Sequence, residues 1–184
     1  MGVSAERKLD YRLLNHKLVD AYRSNHRLLE AVDDWILCPD QKLTAELDWA
    51  AGVVRELQNP KLPKLLYRGM RDQRLTDTLD FTTGGWFSKV REELMNKPVS
   101  RAITRPVSFT TNPDIALAFG TIVVTAESKD VVDHCLVITN ELAAAVCLHR
   151  NISLVTQDEV VILPSIKKLD LTLIKPPKPQ SANW

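Results

Sequence analysis

Glycine, cysteine and an excess of charge of either sign are scarce in this chain. Its 184 residues include 6 Gly and 3 Cys, and 24 basic against 23 acidic side chains leave a formal net charge of +1. That balance provides no overall basic field to attract a phosphate backbone, so composition does not favour nucleic acid as a partner. Cys38, Cys135 and Cys147 have neither CxxC nor Cys/His zinc spacing, and we expect reduced thiols.

Long apolar runs are also missing. No segment approaches the roughly 18 residues that a membrane helix requires, and the N-terminal MGVSAERKLDYR has no apolar core of the kind found in signal peptides. The 4 His show no metal-binding spacing, so no metal is expected. We therefore expect a cytoplasmic protein without a membrane partner.

The residues that are present predict one domain over 1–174, because 184 residues with 45% hydrophobic content suffice for one sizeable core. Residues 1–58 have apolar side chains at helical spacing and form the predicted helical lobe, which Pro60 and Pro63 end. Residues 175–184 are rich in proline and are predicted to be an extended tail.

Residues 62–174 form the predicted strand-rich body, with short apolar runs at 65–67, 106–110, 121–124, 135–138, 160–163 and 169–174. Two short helices interrupt them, one around 86–95 and one that Asn112 caps, Pro113 starts and Gly120 ends. Helices followed by strands indicate an α+β fold rather than regular βαβ alternation.

Two segments of the body contain candidate binding residues. In LLYRGM, Arg68 ends an apolar strand before Gly69, whose missing side chain would let a ligand approach closely. In SFTTNPDIALAFG, Ser108 and Thr110 lie on one strand face and offer two hydroxyl groups. The alternatives are a surface arginine before a turn and an ordinary strand before a capped helix.

A third segment, TQDEVVILP, contains candidate catalytic residues. Gln157 and Glu159 are two apart at the start of a strand and project together. A carboxylate there can bind a sugar hydroxyl and stabilise positive charge on the ring. The alternative is a solvent-facing strand edge.

In this order, the three segments resemble the R-S-E class of mono-ADP-ribosyltransferases over about positions 60 to 165. The resemblance implies a split NAD-binding fold with two small β-sheets packed face to face beside an N-terminal helical lobe. It also implies that NAD is the co-substrate and that no metal takes part.

The same resemblance implies a role for each motif residue. Arg68 is similar to the arginine that holds the NAD diphosphate, with the Gly69 backbone near the nicotinamide. Ser108 resembles the serine that orients the catalytic glutamate, and Thr110 is the second hydroxyl. Glu159 resembles that glutamate, which binds the nicotinamide-ribose 2′-hydroxyl, and Gln157 matches the position that helps choose the acceptor.

Gln157 bears on the target. Arginine-modifying members have Glu-x-Glu, whereas the Rho-modifying clostridial exoenzymes resemble the Gln-x-Glu seen here and modify asparagine. We therefore expect transfer to a non-arginine side chain of an intracellular protein. Small transferases of T-even bacteriophages are also similar, so a phage or effector protein in a host cytoplasm is one interpretation.

Three other functions stay open. One is a non-catalytic interaction module on the same scaffold, which would use the helical lobe and the proline-rich tail. Another is an NAD glycohydrolase, in which water is the acceptor. The last is transfer to a nucleic acid, which the near-neutral charge does not favour.

Overall fold

The computed structural model describes residues 11–37, 44–70, 97–120, 122–151 and 159–174. The described chain begins with a 3-10 turn at Tyr11–Leu13 and three helices, α1 (His16–Arg23), α2 (His26–Leu37) and α3 (Thr44–Leu57). Asparagine side chains cap the first two, since Asn15 Oδ1 accepts from the Leu18 amide at 3.3 Å and Asn25 Oδ1 from the Leu28 amide at 3.2 Å. These bonds satisfy amides that the start of a helix leaves unpaired.

Seven strands and two more helices follow. The strands are β1 (Leu65–Met70), β2 (Pro98–Ala102), β3 (Val107–Thr110), β4 (Ile122–Glu127), β5 (Cys135–Val137), β6 (Glu159–Ile162) and β7 (Lys168–Ile174). The helices are α4 (Pro113–Phe119) and α5 (Asn140–Arg150). The predicted cap of α4 is confirmed, because Asn112 Oδ1 accepts from the Asp114 amide at 2.9 Å and Pro113 lies in the first turn.

Strand β2 and helix α5 were not predicted from the sequence. The α5 segment, NELAAAVCLHR, follows Thr139, whose hydroxyl accepts from the Leu142 amide at 3.1 Å. Asn151 ends the helix in the left-handed conformation with φ 54°. Its apolar residues follow one another almost without interruption. The alternation of apolar and polar residues that marks a helix with one solvent-exposed face is therefore weak in this segment.

The prediction of two separate sheets is wrong. The strands form one antiparallel seven-stranded sheet in the order β2-β7-β4-β1-β3-β6-β5. Tyr67 of β1 pairs with Thr110 of β3, and this pairing joins the two halves of the sheet. The mixed helix-and-strand composition is confirmed.

One hydrophobic cluster, the helical core, lies between the helices and one face of the β5–β6 end of the sheet. It contains residues of α1, α2, α3 and α5 together with Leu136, Val161 and Leu163. Side chains from sequence-distant elements therefore share one buried volume. Packing of this kind makes the helices and the sheet mutually dependent.

A second cluster, the sheet core, is built from the strands themselves. It includes Leu66 and Phe109 from the centre of the sheet and Leu169 and Leu171 from β7. Cys135 also belongs to it, and burial raises the pKa of this free thiol to about 11. A thiol with that pKa is protonated and unreactive at neutral pH.

Several sequence predictions lie outside the described residues. They are the helix around 86–95, the tail at 175–184 and the state of Cys38. Within the described ranges, no helix combines the length and apolar character needed to cross a bilayer. Cys147, like Cys135, is buried.

Candidate functional site

Three predicted site residues lie on three neighbouring strands. Arg68 is on β1, Ser108 on β3 and Glu159 at the start of β6, and these strands are adjacent in the sheet. Thr110 of β3 is the register partner of Tyr67 in β1 and of Glu159 in β6. Residues separated by 40 and 91 positions from Arg68 are thus brought to the middle of one sheet.

The side chains of these site residues do not all project from the same face of the sheet. Register partners share a face, so Thr110 and Glu159 project together, and Ser108 does so with them because it is two residues from Thr110. Arg68 follows Tyr67, and its side chain therefore starts on the opposite face of β1. Its Nη1 donates to the main-chain carbonyl of Ser108, and the guanidinium lies near enough to Glu159 for the two charges to interact.

Arg68 is held where water solvates it poorly. Burial, and after it the charge of Arg105, lowers its pKa to about 10, while the negative charge of Glu159 acts in the opposite direction. Arg68 Nε is buried and has no hydrogen-bond partner in the part of the chain that the structure describes. A desolvated guanidinium beside a second cation, with a donor still unused, is an arrangement that an anion would stabilise.

Glu159 is fixed by contacts on several sides. Its backbone pairs with Thr110, and its carbonyl accepts from the Ile138 amide at 2.9 Å. Its carboxylate Oε1 accepts a hydrogen bond from the indole Nε1 of Trp35 at 3.0 Å. The sequence led us to expect Ser108 as the orienting partner, whereas the described donor to this carboxylate is a tryptophan from α2.

Gly69 has a packing role of its own. A Cβ built on Gly69 would overlap the carbonyl group of Ala116 and come within 3.2 Å of the Gly120 nitrogen. Helix α4 therefore crosses β1 against the bare Cα of Gly69. This contact explains the glycine without a ligand, and the predicted position of nicotinamide beside its backbone stays a prediction.

Thr110 also has a local role. Its hydroxyl oxygen accepts a hydrogen bond from the Asn112 amide at 3.1 Å, and Asn112 in turn caps α4. The side chain is 6% exposed. Thr110 thus stabilises the turn between β3 and α4, and its predicted contact with NAD stays a prediction.

Gln157 lies outside the described residues, so its predicted role in acceptor choice has no structural counterpart here. In the part of the chain that the structure describes, no three His, Cys, Asp or Glu groups cluster as a metal site would require. The expectation that no metal takes part stays a prediction.

Two residues of this region were missed from the sequence. Arg105 lies in the segment before β3, three positions ahead of Ser108, and an arginine so near a motif strand was a usable signal. Trp35 gave no signal, because 124 residues separate it from Glu159 along the chain. Only the packing of α2 beside the sheet brings it there.

Comparison with known proteins adds no assignment: no protein-family model, no curated protein and no solved structure matches this chain.

Proposed function

We propose that this protein is a mono-ADP-ribosyltransferase that moves ADP-ribose from NAD to a macromolecular target and releases nicotinamide. One observation carries the proposal: Arg68, Ser108 and Glu159, which the sequence motifs single out, lie on three adjacent strands, and the charges of Arg68 and Glu159 influence each other. Three residues without a common role would not be expected on three adjacent strands, with the charges of two of them interacting.

The cationic side of the site suits a diphosphate. Arg68 is half-buried, its buried Nε has no hydrogen-bond partner among the described residues, and the guanidinium lies near the charge of Arg105. A planar guanidinium donates paired hydrogen bonds to phosphate oxygens, and a bound diphosphate would offset both positive charges. Arg68 and Arg105 would thus hold NAD while contributing little to the chemical step.

The acidic side of the site suits the ribose. During transfer, the bond between the nicotinamide nitrogen and the ribose C1′ breaks, and its electron pair leaves on neutral nicotinamide. A nucleophilic atom of the target then bonds to C1′ and loses a proton to solvent. Glu159 would bind the ribose 2′-hydroxyl and stabilise the positive charge that develops on the ring.

The acceptor is proposed from the sequence. Gln157 is neutral, so it cannot attract or deprotonate a guanidinium as a glutamate can. An amide can donate to and accept from another amide. We therefore propose a non-arginine protein side chain, with a side-chain amide as the first choice.

The test uses purified protein, NAD labelled in the adenylate part, and a cell lysate as the source of targets. We expect a discrete labelled band and an equal yield of nicotinamide. Glu159→Gln keeps an oxygen for Trp35 but removes the charge, so kcat should fall by roughly 100-fold or more. The Kd for NAD should stay within about tenfold, because the lost interaction belongs to the transition state.

The matched control is Glu127→Gln, which removes a carboxylate from the end of β4 that pairs with Lys129. It should retain wild-type turnover. Equal rates for wild type and Glu159→Gln would refute the catalytic assignment. Nicotinamide release without a labelled macromolecule would identify the NAD glycohydrolase instead.

A second candidate is a non-catalytic interaction module. It is favoured by the structural roles of two motif residues, since Gly69 accommodates α4 and Thr110 stabilises the following turn. This candidate predicts no nicotinamide release and no calorimetric signal with NAD. The same labelled-NAD experiment therefore separates the two functions.

A further inference from the structure

Trp35 makes a long-range hydrogen bond to the Glu159 carboxylate. Its indole Nε1 donates to Oε1 at 3.0 Å, and the tryptophan is 5% exposed. An indole N–H is a donor only, so it holds the carboxylate in one orientation and takes no part in proton transfer. The bond therefore fixes one oxygen and leaves Oε2 for another partner.

The helices hold Trp35 firmly. Its ring packs in the helical core with residues of α1, α3 and α5. Two residues earlier on α2, the Asp33 carboxylate is 2% exposed and forms an ion pair with Arg150 at the end of α5. An ion pair two residues before Trp35 thus ties helix α2 to α5.

We propose that Trp35 is a positioning residue, which orients Glu159 toward the nicotinamide ribose before NAD binds; this inference rests on the proposed transferase function. With Oε1 bound to the indole, Oε2 is directed to accept from the ribose 2′-hydroxyl. Because the carboxylate is already oriented, less reorganisation is needed in the transition state. The helical lobe thereby becomes part of the active site.

A purely structural role is the competing explanation, because a buried indole N–H normally finds a partner whatever the function. The two explanations differ in their kinetic consequences. Loss of a structural bond lowers stability and leaves the folded enzyme active. Loss of a positioning bond lowers kcat and leaves NAD binding almost unchanged.

The test compares Trp35→Phe with Trp49→Phe at a temperature at which circular dichroism shows both to be folded. Trp49 packs beside the same core but stacks under the Arg27 guanidinium at 4.1 Å, so it serves as the matched control. We expect Trp35→Phe to lower kcat for nicotinamide release by roughly 10-fold to 100-fold. Its KM for NAD should stay within about threefold, and Trp49→Phe should match wild type.

A double variant makes the test specific. Since Trp35 acts through the Glu159 carboxylate, Trp35→Phe should cause little further loss in the Glu159→Gln background. Wild-type kcat in folded Trp35→Phe, or an equal loss in both backgrounds, overturns the positioning role and leaves the transferase proposal intact. Absence of NAD cleavage by the wild-type protein removes both.

If Trp35→Phe does not fold, the assigned indole N–H resonance of Trp35 provides the second measurement. We expect this resonance to shift when ADP-ribose is added to the wild-type protein and to lose its protection from hydrogen exchange in Glu159→Ala. A resonance that neither change affects overturns the proposal.

Discussion

At the scale of single residues, Arg68 is a charged side chain in an environment that disfavours its charge. Burial and the neighbouring Arg105 both disfavour its charge and bring its pKa to about 10, and no described residue accepts a hydrogen bond from its Nε. Because the pKa stays above neutrality, the group remains charged at pH 7. The folded protein therefore carries a poorly solvated cation, which an anionic ligand would stabilise.

This leads to a prediction about ligand-induced stabilisation. ADP-ribose at 100 times its Kd should stabilise the wild-type protein by about 2.7 kcal/mol, which corresponds to a rise in Tm of about 5–10 °C. Arg68→Met should abolish most of the rise, because it removes the buried donor. Arg105→Gln should weaken binding by roughly tenfold.

The control for that prediction is Arg27→Met, which removes a guanidinium that pairs with Glu46 on the surface. It should show the wild-type rise in Tm, measured by differential scanning calorimetry. A full rise in Arg68→Met would exclude this arginine from the ligand site.

At the scale of elements, the contact between β1 and α4 positions the motif strands. Asn112 and Pro113 start the helix, and the missing side chain of Gly69 lets the Ala116 carbonyl pass close to the strand. Thr110 holds the turn that leads into the helix. The segment that contains Ser108 is thus anchored to the strand that contains Arg68.

Gly69→Ala and Gly52→Ala are predicted to change stability in opposite directions. A methyl group on Gly69 overlaps the Ala116 carbonyl, so β1 or α4 must shift, at a cost of roughly 3 kcal/mol. Gly52 lies within α3 with no atom within 4 Å of an added Cβ, and alanine there should stabilise by about 0.5–1 kcal/mol.

Urea unfolding of the two variants measures both effects. If Gly69→Ala is as stable as wild type, α4 does not pack on β1 as described. The Gly52 variant controls for the general effect of alanine on the unfolded chain.

At the scale of the whole molecule, the helical core ties the N-terminal helices to the sheet. Leu29 of α2 and Leu136 of β5 are both fully buried in it, and the Trp35–Glu159 bond crosses the same boundary. Neither side can bury its apolar surface without the other. The helical lobe and the strand-rich body should therefore behave as one cooperative unit.

We accordingly predict a single unfolding transition. Far-UV circular dichroism and tryptophan fluorescence should give the same urea midpoint. Leu29→Ala and Leu136→Ala should each cost about 2–5 kcal/mol and move both probes together. Two separate midpoints, or a folded fragment 59–184 with a dispersed NMR spectrum, would contradict the single unit.

Local patterns accounted for much of the fold. Alternation and apolar runs located six of the strands, and Asn112 with Pro113 located the start of α4, because strand pleating and helix capping depend on near neighbours. The almost uniformly apolar α5 and the short strand β2 were missed. Neither has the periodicity that local reasoning needs.

The candidate site likewise has features that the sequence indicated and features that only the structure revealed. The amino-acid sequence was sufficient to select Arg68, Ser108 and Glu159, since motif order and spacing are properties of the chain. The single sheet joined at Tyr67 and Thr110, the α4 carbonyl beside Gly69, and the indole of Trp35 on Glu159 emerged from the folded structure. Each of these contacts joins residues that are 43 to 124 positions apart in sequence. No local rule specifies which distant residue is the partner.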